Sequence, residues 1–233
     1  MQGKIIRIRR YPVKSMGGEN VPSAALDERG IIRDRWFAVR DSEGHFASGK
    51  NTRRFRRHDE VFQYSAATVG NDVRVTHGDG GNWFVGDPDL NAHLSKNVGE
   101  PVTVSAEQSV PHQDMGSLSL IGTATLQWCA DKWGLNADPR RLRVNIVLET
   151  SEPFIEESWL GCSASLGAAG LDFVKKIPRC RMIDINQDGV EATGGWLKPL
   201  ALERDMTIGV YANVTHPGLI HVGEHINVCR LSG

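Results

Sequence analysis

The residues best equipped for chemistry surround a cysteine, in Ile177-Pro178-Arg179-Cys180-Arg181, with Lys175 and Lys176 just upstream. Nearby cations favour the thiolate, the form that attacks electrophiles and binds metals. A soft thiolate suits molybdenum with sulfur co-ligands, or a reactive persulfide, far better than it suits calcium or magnesium. The same local sequence also admits a small buried residue at a strand edge. Far upstream, Tyr11-Pro12-Val13-Lys14-Ser15 follows an early strand, where Pro12 ends the pairing and Lys14 and Ser15 offer a charge and a hydroxyl from a loop. Such a pair can hold a phosphate; a turn with a solvated lysine is the alternative. Arg35, ahead of Trp36-Phe37-Ala38-Val39, can present a planar donor fork to a phosphate or a pterin edge, unless Asp34 pairs with a neighbouring arginine.

Two further sets lie in the second half. Thr123-Ala124-Thr125 opens a helix, where unpaired N–H groups and hydroxyls form an anion site, though Thr123 as a simple cap explains itself. In Arg141-Leu142-Arg143-Val144-Asn145-Ile146, a strand with period two places Arg143 and Asn145 on one face and Val144 and Ile146 on the other. Other motifs fail. Asp184-Ile185-Asn186-Gln187-Asp188-Gly189 starts like a calcium loop, but Gly195 stands where the bidentate Glu belongs, so a hairpin turn is expected. His221 and His225 flank Gly223 in a turn and strand region, where that spacing separates ligands for zinc. Arg53-Arg54-Phe55-Arg56-Arg57 reads as a solvated loop before an anion-contacting patch.

The elements that must position these residues are mostly strands. Short alternating or β-branched runs recur at 4–8, 36–40, 72–76, 101–105, 143–148, 171–175, 181–185 and 208–214, separated by Gly, Asn, Asp and Pro. The fold class is therefore mainly β, of the barrel or sandwich type, with few short helices. The clearest helix is 123–133, with Leu126, Cys129, Ala130 and Trp133 on one face and Gly134 as a stop, which makes Cys129 a core residue. Residues 156–159 and 87–94 add helical turns. A polar, aperiodic stretch at 105–117 divides the chain into 1–105 and 106–233.

The chain's 233 residues are 40% hydrophobic and 24% charged, enough for a sizeable core. A net charge of -1 argues against nucleic acid or an anionic membrane as partner. Cys129, Cys162, Cys180 and Cys229 form no C-x-x-C pair, and reduced thiols in the cytoplasm are expected. Met1-Gln2-Gly3-Lys4 leads into an arginine-containing strand with no apolar leader, and no apolar run approaches membrane-spanning length.

Taken in order, Tyr11-Pro12-Val13-Lys14-Ser15, Asp34-Arg35-Trp36, Thr123-Ala124-Thr125, Arg143-x-Asn145-Ile146-Val147, Pro178-Arg179-Cys180, Gly209-Val210-Tyr211 and His221-Val222-Gly223-Glu224 resemble the MOSC family. The branch they resemble carries an N-terminal MOSC β-barrel domain, as in the mitochondrial amidoxime-reducing component and its bacterial relatives. That resemblance implies a MOSC β-barrel fold, an N-terminal β-barrel subdomain over 1–105 and a MOSC domain over 106–233. It implies a molybdenum-molybdopterin cofactor with Cys180 as catalytic residue and metal ligand. Lys14, Ser15, Arg35, Thr123, Ala124, Thr125, Arg143, Asn145 and Arg179 would surround the pterin and its phosphate. The implied activity is an oxidoreductase removing oxygen from a small N-hydroxylated substrate. With no iron–sulfur, flavin or nicotinamide fingerprint, electrons would come from a separate ferredoxin-, flavin- or cytochrome-type protein. A cofactor or persulfide-sulfur carrier without turnover, and a non-catalytic barrel, are the competing readings. Pyridoxal phosphate on Lys14 has little support, because no apolar pocket to lower the lysine's pKa is evident. Ile177 stands where relatives often carry a second cysteine, and Arg181 where an apolar residue usually follows the ligand. The expectation is a more basic pocket and a more acidic substrate.

Overall fold

In the computed structural model, residues 3–229 are described apart from Asp114 and Thr193. Met1 and Gln2 of the N-terminal reading, and Asp114 of the polar connection, therefore lie outside the described residues. The chain is mainly β, as expected, and its central feature is a closed barrel of seven strands. Ile146–Glu149, Leu118–Gly122, Thr207–His216, Ala169–Pro178, Ser163–Leu166, His225–Cys229 and Gly3–Arg10 follow one another round it. The circle closes where Gly3–Arg10 pairs with Ile146–Glu149, with Ile8 opposite Ile146. The first strand thus completes a barrel whose other six strands begin beyond residue 117.

Period-two alternation shapes the barrel. Leu118 and Leu120, like Ile146 and Leu148, join Phe173 and Val210 in the interior cluster. Ile121 and Val147 face outward and pack with Leu126 and Cys129 of the helix Thr123–Trp133. That helix forms where its periodicity predicts and ends at Gly134, which takes the left-handed φ of 64°. It forms part of the crossover between the parallel strands Leu118–Gly122 and Ile146–Glu149.

Between Arg10 and Leu118 the chain builds a second packed unit. Val102–Ala106, Phe37–Asp41, Phe46–Ser48 and Phe55–Arg57 form one sheet, and Tyr64–Val69, Asp72–His77 and Asn82–Phe84 another. The helix Pro88–Val98 buries Leu90 and Leu94 against them, capped by the Asp87 side chain and Gly99. It runs a turn beyond the expected 87–94 because every residue from Ser95 to Val98 tolerates helix before that glycine. Ile185, from the second half, packs into this core and joins the two units.

Two expected strands are corrected. Residues 143–145 do not belong to a strand, which starts at Ile146. They follow a short helix, Pro139–Leu142, that ends with Arg143 in the left-handed region at φ 50°. Residues 181–184 form a 3₁₀ turn. Asp184 there accepts the Trp196 backbone N–H at 2.6 Å, and the turn at Gln187–Val190 is the expected hairpin reversal in place of a calcium loop.

Asp188 in that reversal reaches back to the first strand, where Arg9 Nε donates to its Oδ2 at 2.9 Å. Both side chains are buried, and Arg9 also donates to Asn20 and the Gly18 carbonyl. Removing one partner leaves the other charge desolvated, a loss of about 3–5 kcal/mol. Asp188→Ala is therefore expected to lower unfolding free energy by that order in urea titration, whereas an exposed pair such as Arg57 and Asp59 should give under about 1 kcal/mol.

Candidate functional site

Where the two packed units meet, a cleft is lined by Lys14, Ser15 and Arg35 from the first and by Arg143, Asn145, Arg179 and Cys180 from the second. Seven of the residues singled out from the sequence thus converge. The backbone explains the first group. Tyr11 to Lys14 runs alongside 35–37, with Arg35 N–H donating to the Tyr11 carbonyl at 2.7 Å and Lys14 N–H to the Phe37 carbonyl at 2.8 Å. Lys14 and Arg35 are placed together by main-chain pairing, 21 residues apart in sequence. Lys14 Nζ donates to the His112 carbonyl at 2.7 Å, and Ser15 Oγ to the Ala47 carbonyl at 2.9 Å. Ser15, Arg35 and Arg143 all have positive φ, at 71°, 53° and 50°, a conformation sustained only where surrounding contacts enforce it.

Arg143 is the least satisfied group in the cleft. Its Nη2 donates to the Met16 carbonyl at 2.7 Å, while its buried Nη1 has no hydrogen-bond partner among the described residues. Burial pulls its pKa below the ordinary arginine value, with Tyr11 acting in the opposite direction and the nearby Arg35 adding to the depression. The guanidinium groups of Arg35 and Arg143 both lie over the Tyr11 ring, at 5.0 and 4.4 Å. Arg35 is fixed from behind by Asp34 and donates to the Arg143 carbonyl at 3.1 Å. Asn145 is a latch: its Oδ1 accepts from Ser119 Oγ at 2.8 Å, and its Nδ2 donates to the Arg9 carbonyl at 3.2 Å.

Cys180 is half-buried on the cleft wall and leads into the turn Arg181–Asp184. Arg179 fixes that segment, donating to the Ile208 carbonyl at 2.7 Å and the Leu142 carbonyl at 2.7 Å. Desolvation lowers the Arg179 pKa to about 10. Gly209 beside it has φ 75°, and an added Cβ there would lie 2.8 Å from the Leu120 carbonyl oxygen and 3.4 Å from Arg179 Nη2. Cys129, by contrast, is the core thiol its helix position predicts, with burial pushing its pKa up to about 12.

The structure sets Thr123, Ala124 and Thr125 apart from this cleft, which they do not line. Their polar groups are already engaged: Ala124 N–H donates to Thr150 Oγ1 at 3.2 Å and Thr125 Oγ1 to Glu156 Oε2 at 3.0 Å. Buried Glu156, its pKa raised by desolvation, occupies the position an external anion would take. The expectation for Arg181 is also corrected. Its guanidinium turns away from the cleft and grips Asp59 at 2.8 and 2.6 Å, tying the cysteine segment to the first unit. Lys176 likewise pairs with Glu157 at 2.8 Å. The extra basicity read from Arg181 does not reach the cleft.

Arg141, Gln113 and Tyr211 also line the cleft wall, although the sequence reading, which quoted Arg141 and Tyr211 in motifs, assigned none of them to the site. Arg141 is almost wholly buried and donates to the Ile183 carbonyl at 2.8 Å, supporting the turn after Cys180. An adjoining cavity of about 390 Å³ around Ile31, Trp36 and Phe37 shares Gln113 with the cleft. Residues 105–117 were read only as a connection, yet Gln113 and Gly116 within them line the cleft, and the His112 carbonyl accepts from Lys14.

The MOSC N-terminal β-barrel domain matches residues 2–107, and the MOSC domain matches residues 107–227. The chain belongs to the MOSC family. A stretch of 95 residues is 32% identical to a molybdenum cofactor sulfurase of Danio rerio, covering 37% of this chain and 11% of that protein. The match therefore spans about a tenth of that relative's length. The solved structure of the YuaD protein from Bacillus subtilis has a TM-score of 0.51 at 13% identity, over 98% of this chain and 96% of that one. This likeness shows a shared fold. No helix among the described residues is long and apolar enough to cross a membrane.

His112 gives the cleft wall a pH dependence. Its Nδ1 lies 3.1 Å from the Arg35 carbonyl, an acceptor, and its Nε2 3.1 Å from Arg40 Nη2, a donor, so the ring is neutral with the proton on Nδ1. Burial first, then Arg40, lower its pKa to about 4. The unfolded chain takes up this proton near pH 6.5 and the folded one only near 4, so stability is lost as pH falls across that interval. Urea midpoints between pH 7 and 4 should fall in the wild type and fall less steeply in His112→Gln.

Proposed function

We propose that the cleft binds a molybdenum-pterin cofactor, with Cys180 Sγ as the protein's ligand to the metal, and that the protein reduces small N-hydroxylated compounds. The observation that carries this reading is Arg143, a buried cation with a donor unpaired among the described residues, on the same cleft as a half-buried thiol. An orphaned buried donor is a cost to the fold unless a ligand satisfies it, and an oxygen-rich anion does so best. The donor set fits the cofactor on both counts. Among the described residues, five cationic side chains line the cleft, which suits a phosphate, and the thiol suits a soft metal. The enclosed volume of about 100 Å³ is well below the roughly 300–1,000 Å³ of pockets that engulf drug-sized ligands, so the folded cleft grips one end of such a group.

In this reading Lys14, Ser15 and Arg35 face the phosphate end, and Arg143 Nη1 donates to the pterin or its phosphate. Arg179 and Arg141 act on the backbone that presents Cys180. Bound molybdenum supplies the two-electron chemistry that removes oxygen from nitrogen. Overall, R–NHOH takes up two electrons and two protons and yields R–NH2 and water. The electrons come from a separate redox protein, and the cavity beside Trp36 has the size for a small organic substrate. The match to a molybdenum cofactor sulfurase favours one second reading, in which Cys180 carries sulfur as a persulfide or passes on the cofactor without turnover.

Metal and pterin content after purification from a cofactor-competent host separates these readings. Near-stoichiometric molybdenum in the wild type and little in Cys180→Ser supports the ligand role. A well-folded wild type with neither metal nor pterin, but with a persulfide on Cys180, sinks it and supports sulfur transfer. Arg143→Met should leave stability unchanged or raise it, while lowering cofactor content about tenfold or more, the equivalent of one lost charge-assisted hydrogen bond. A stability loss without a change in cofactor content contradicts the role given to Arg143.

A further inference from the structure

A second constellation lies in the first unit, far along the sequence from the cysteine segment. His77 ends the strand Asp72–His77, Asp79 sits in the turn that follows, and His93 projects from the helix Pro88–Val98. We propose that His77, Asp79 and His93 form a binding site for a divalent transition metal of the zinc, nickel or cobalt class. One ligand atom from each lies within 4.8 Å of the other two. His77 Nδ1 and His93 Nε2 are each 2.9 Å from an oxygen of Asp79. Ligand atoms on one tetrahedral zinc, at bonds of about 2.0–2.1 Å, stand roughly 3.3 Å apart, so each histidine–aspartate distance needs to open by only a few tenths of an ångström.

The outer hydrogen bonds turn the correct nitrogens inward. His77 Nε2 faces Gln63 Oε1 at 3.3 Å, an acceptor, which places the proton of the neutral ring on Nε2 and leaves the Nδ1 lone pair toward Asp79. Asp79 N–H also points at that Nδ1, at 3.4 Å. At 2.9 Å from a carboxylate oxygen, that Nδ1 is answered either by a proton or by a metal cation held between the two. His93 Nδ1 lies 2.8 Å from Tyr64 Oη, which is itself held by Asn97 at 2.7 Å. Such partners orient metal-binding histidines. The rings are also clamped, His77 against Tyr64 and His93 against Trp83, each with centroids 4.5 Å apart. The histidine side chains are 12% and 21% exposed and Asp79 is 50% exposed, so solvent reaches the open coordination positions. Two imidazoles and one carboxylate, with no thiolate, favour zinc, nickel or cobalt over calcium or magnesium. A bound ion would tie the hairpin to the helix and raise Tm.

Equilibrium dialysis against Zn2+, read by elemental analysis, and the visible spectrum of the Co2+-loaded protein test the proposal. One equivalent is expected in the wild type and in Cys180→Ser, with loss of that equivalent in His77→Ala and His93→Ala. Asp79→Asn, a change at an exposed turn, should weaken binding without unfolding the protein, and Tyr64→Phe should weaken it about tenfold. Absence of saturable binding in the wild type overturns the site, and so does binding that survives His93→Ala. Zinc lost only in Cys180→Ser also overturns it, because the ion then belongs to the cleft thiol.

Discussion

The closure of the barrel by Gly3–Arg10 is the constraint on which the rest of the molecule depends. A barrel has no free edge, so this strand must supply the ladder that Ile146–Glu149 and His225–Cys229 leave open. Once it is in place, the residues that follow leave the barrel at a fixed point, and Lys14 and Ser15 arrive beside Arg143 and Cys180. The buried pair of Arg9 and Asp188 secures the same junction from within, linking positions 179 residues apart. Such a pair supplies little net stability compared with apolar packing, but it penalises any arrangement that leaves one charge alone.

The cleft is a case of cations gathered at a cost. Burial opposes the charge on Arg143 and on Arg179, and arginine retains it only because its intrinsic pKa is so high. The carbonyl groups of Ile208 and Leu142 take up the Arg179 donors, whereas Arg143 keeps one donor unmatched among the described residues.

Support for Cys180 comes from several directions at once. Arg141 holds the turn after it, Arg179 holds the strand end before it, and Arg181 anchors it across the junction to Asp59. Bonding to Arg181 also holds the Asp59 carboxyl down to about 2, so this tether persists through mildly acidic conditions in which His112 begins to charge. The thiol is thereby presented on a stiff segment, as a metal ligand or a sulfur carrier requires.

What the sequence by itself determined was local. The periodicity of Leu126, Cys129 and Trp133 with Gly134 behind them set a helix and its end, because capping and amphipathicity act within a few residues. Alternation at 4–8, 171–175 and 208–214 marked barrel strands for the same reason, and charge beside a thiol marked Cys180. Tertiary structure alone decided which partners those side chains found. Arg181 looked like a cleft cation until Asp59, 122 residues away, took it. Thr125 looked like an anion donor until Glu156 filled its site, and Arg143 and Asn145 reached the cleft from a loop where alternation suggested a strand. Long-range pairing depends on how distant segments are brought together by barrel closure, and no spacing within the chain encodes that directly.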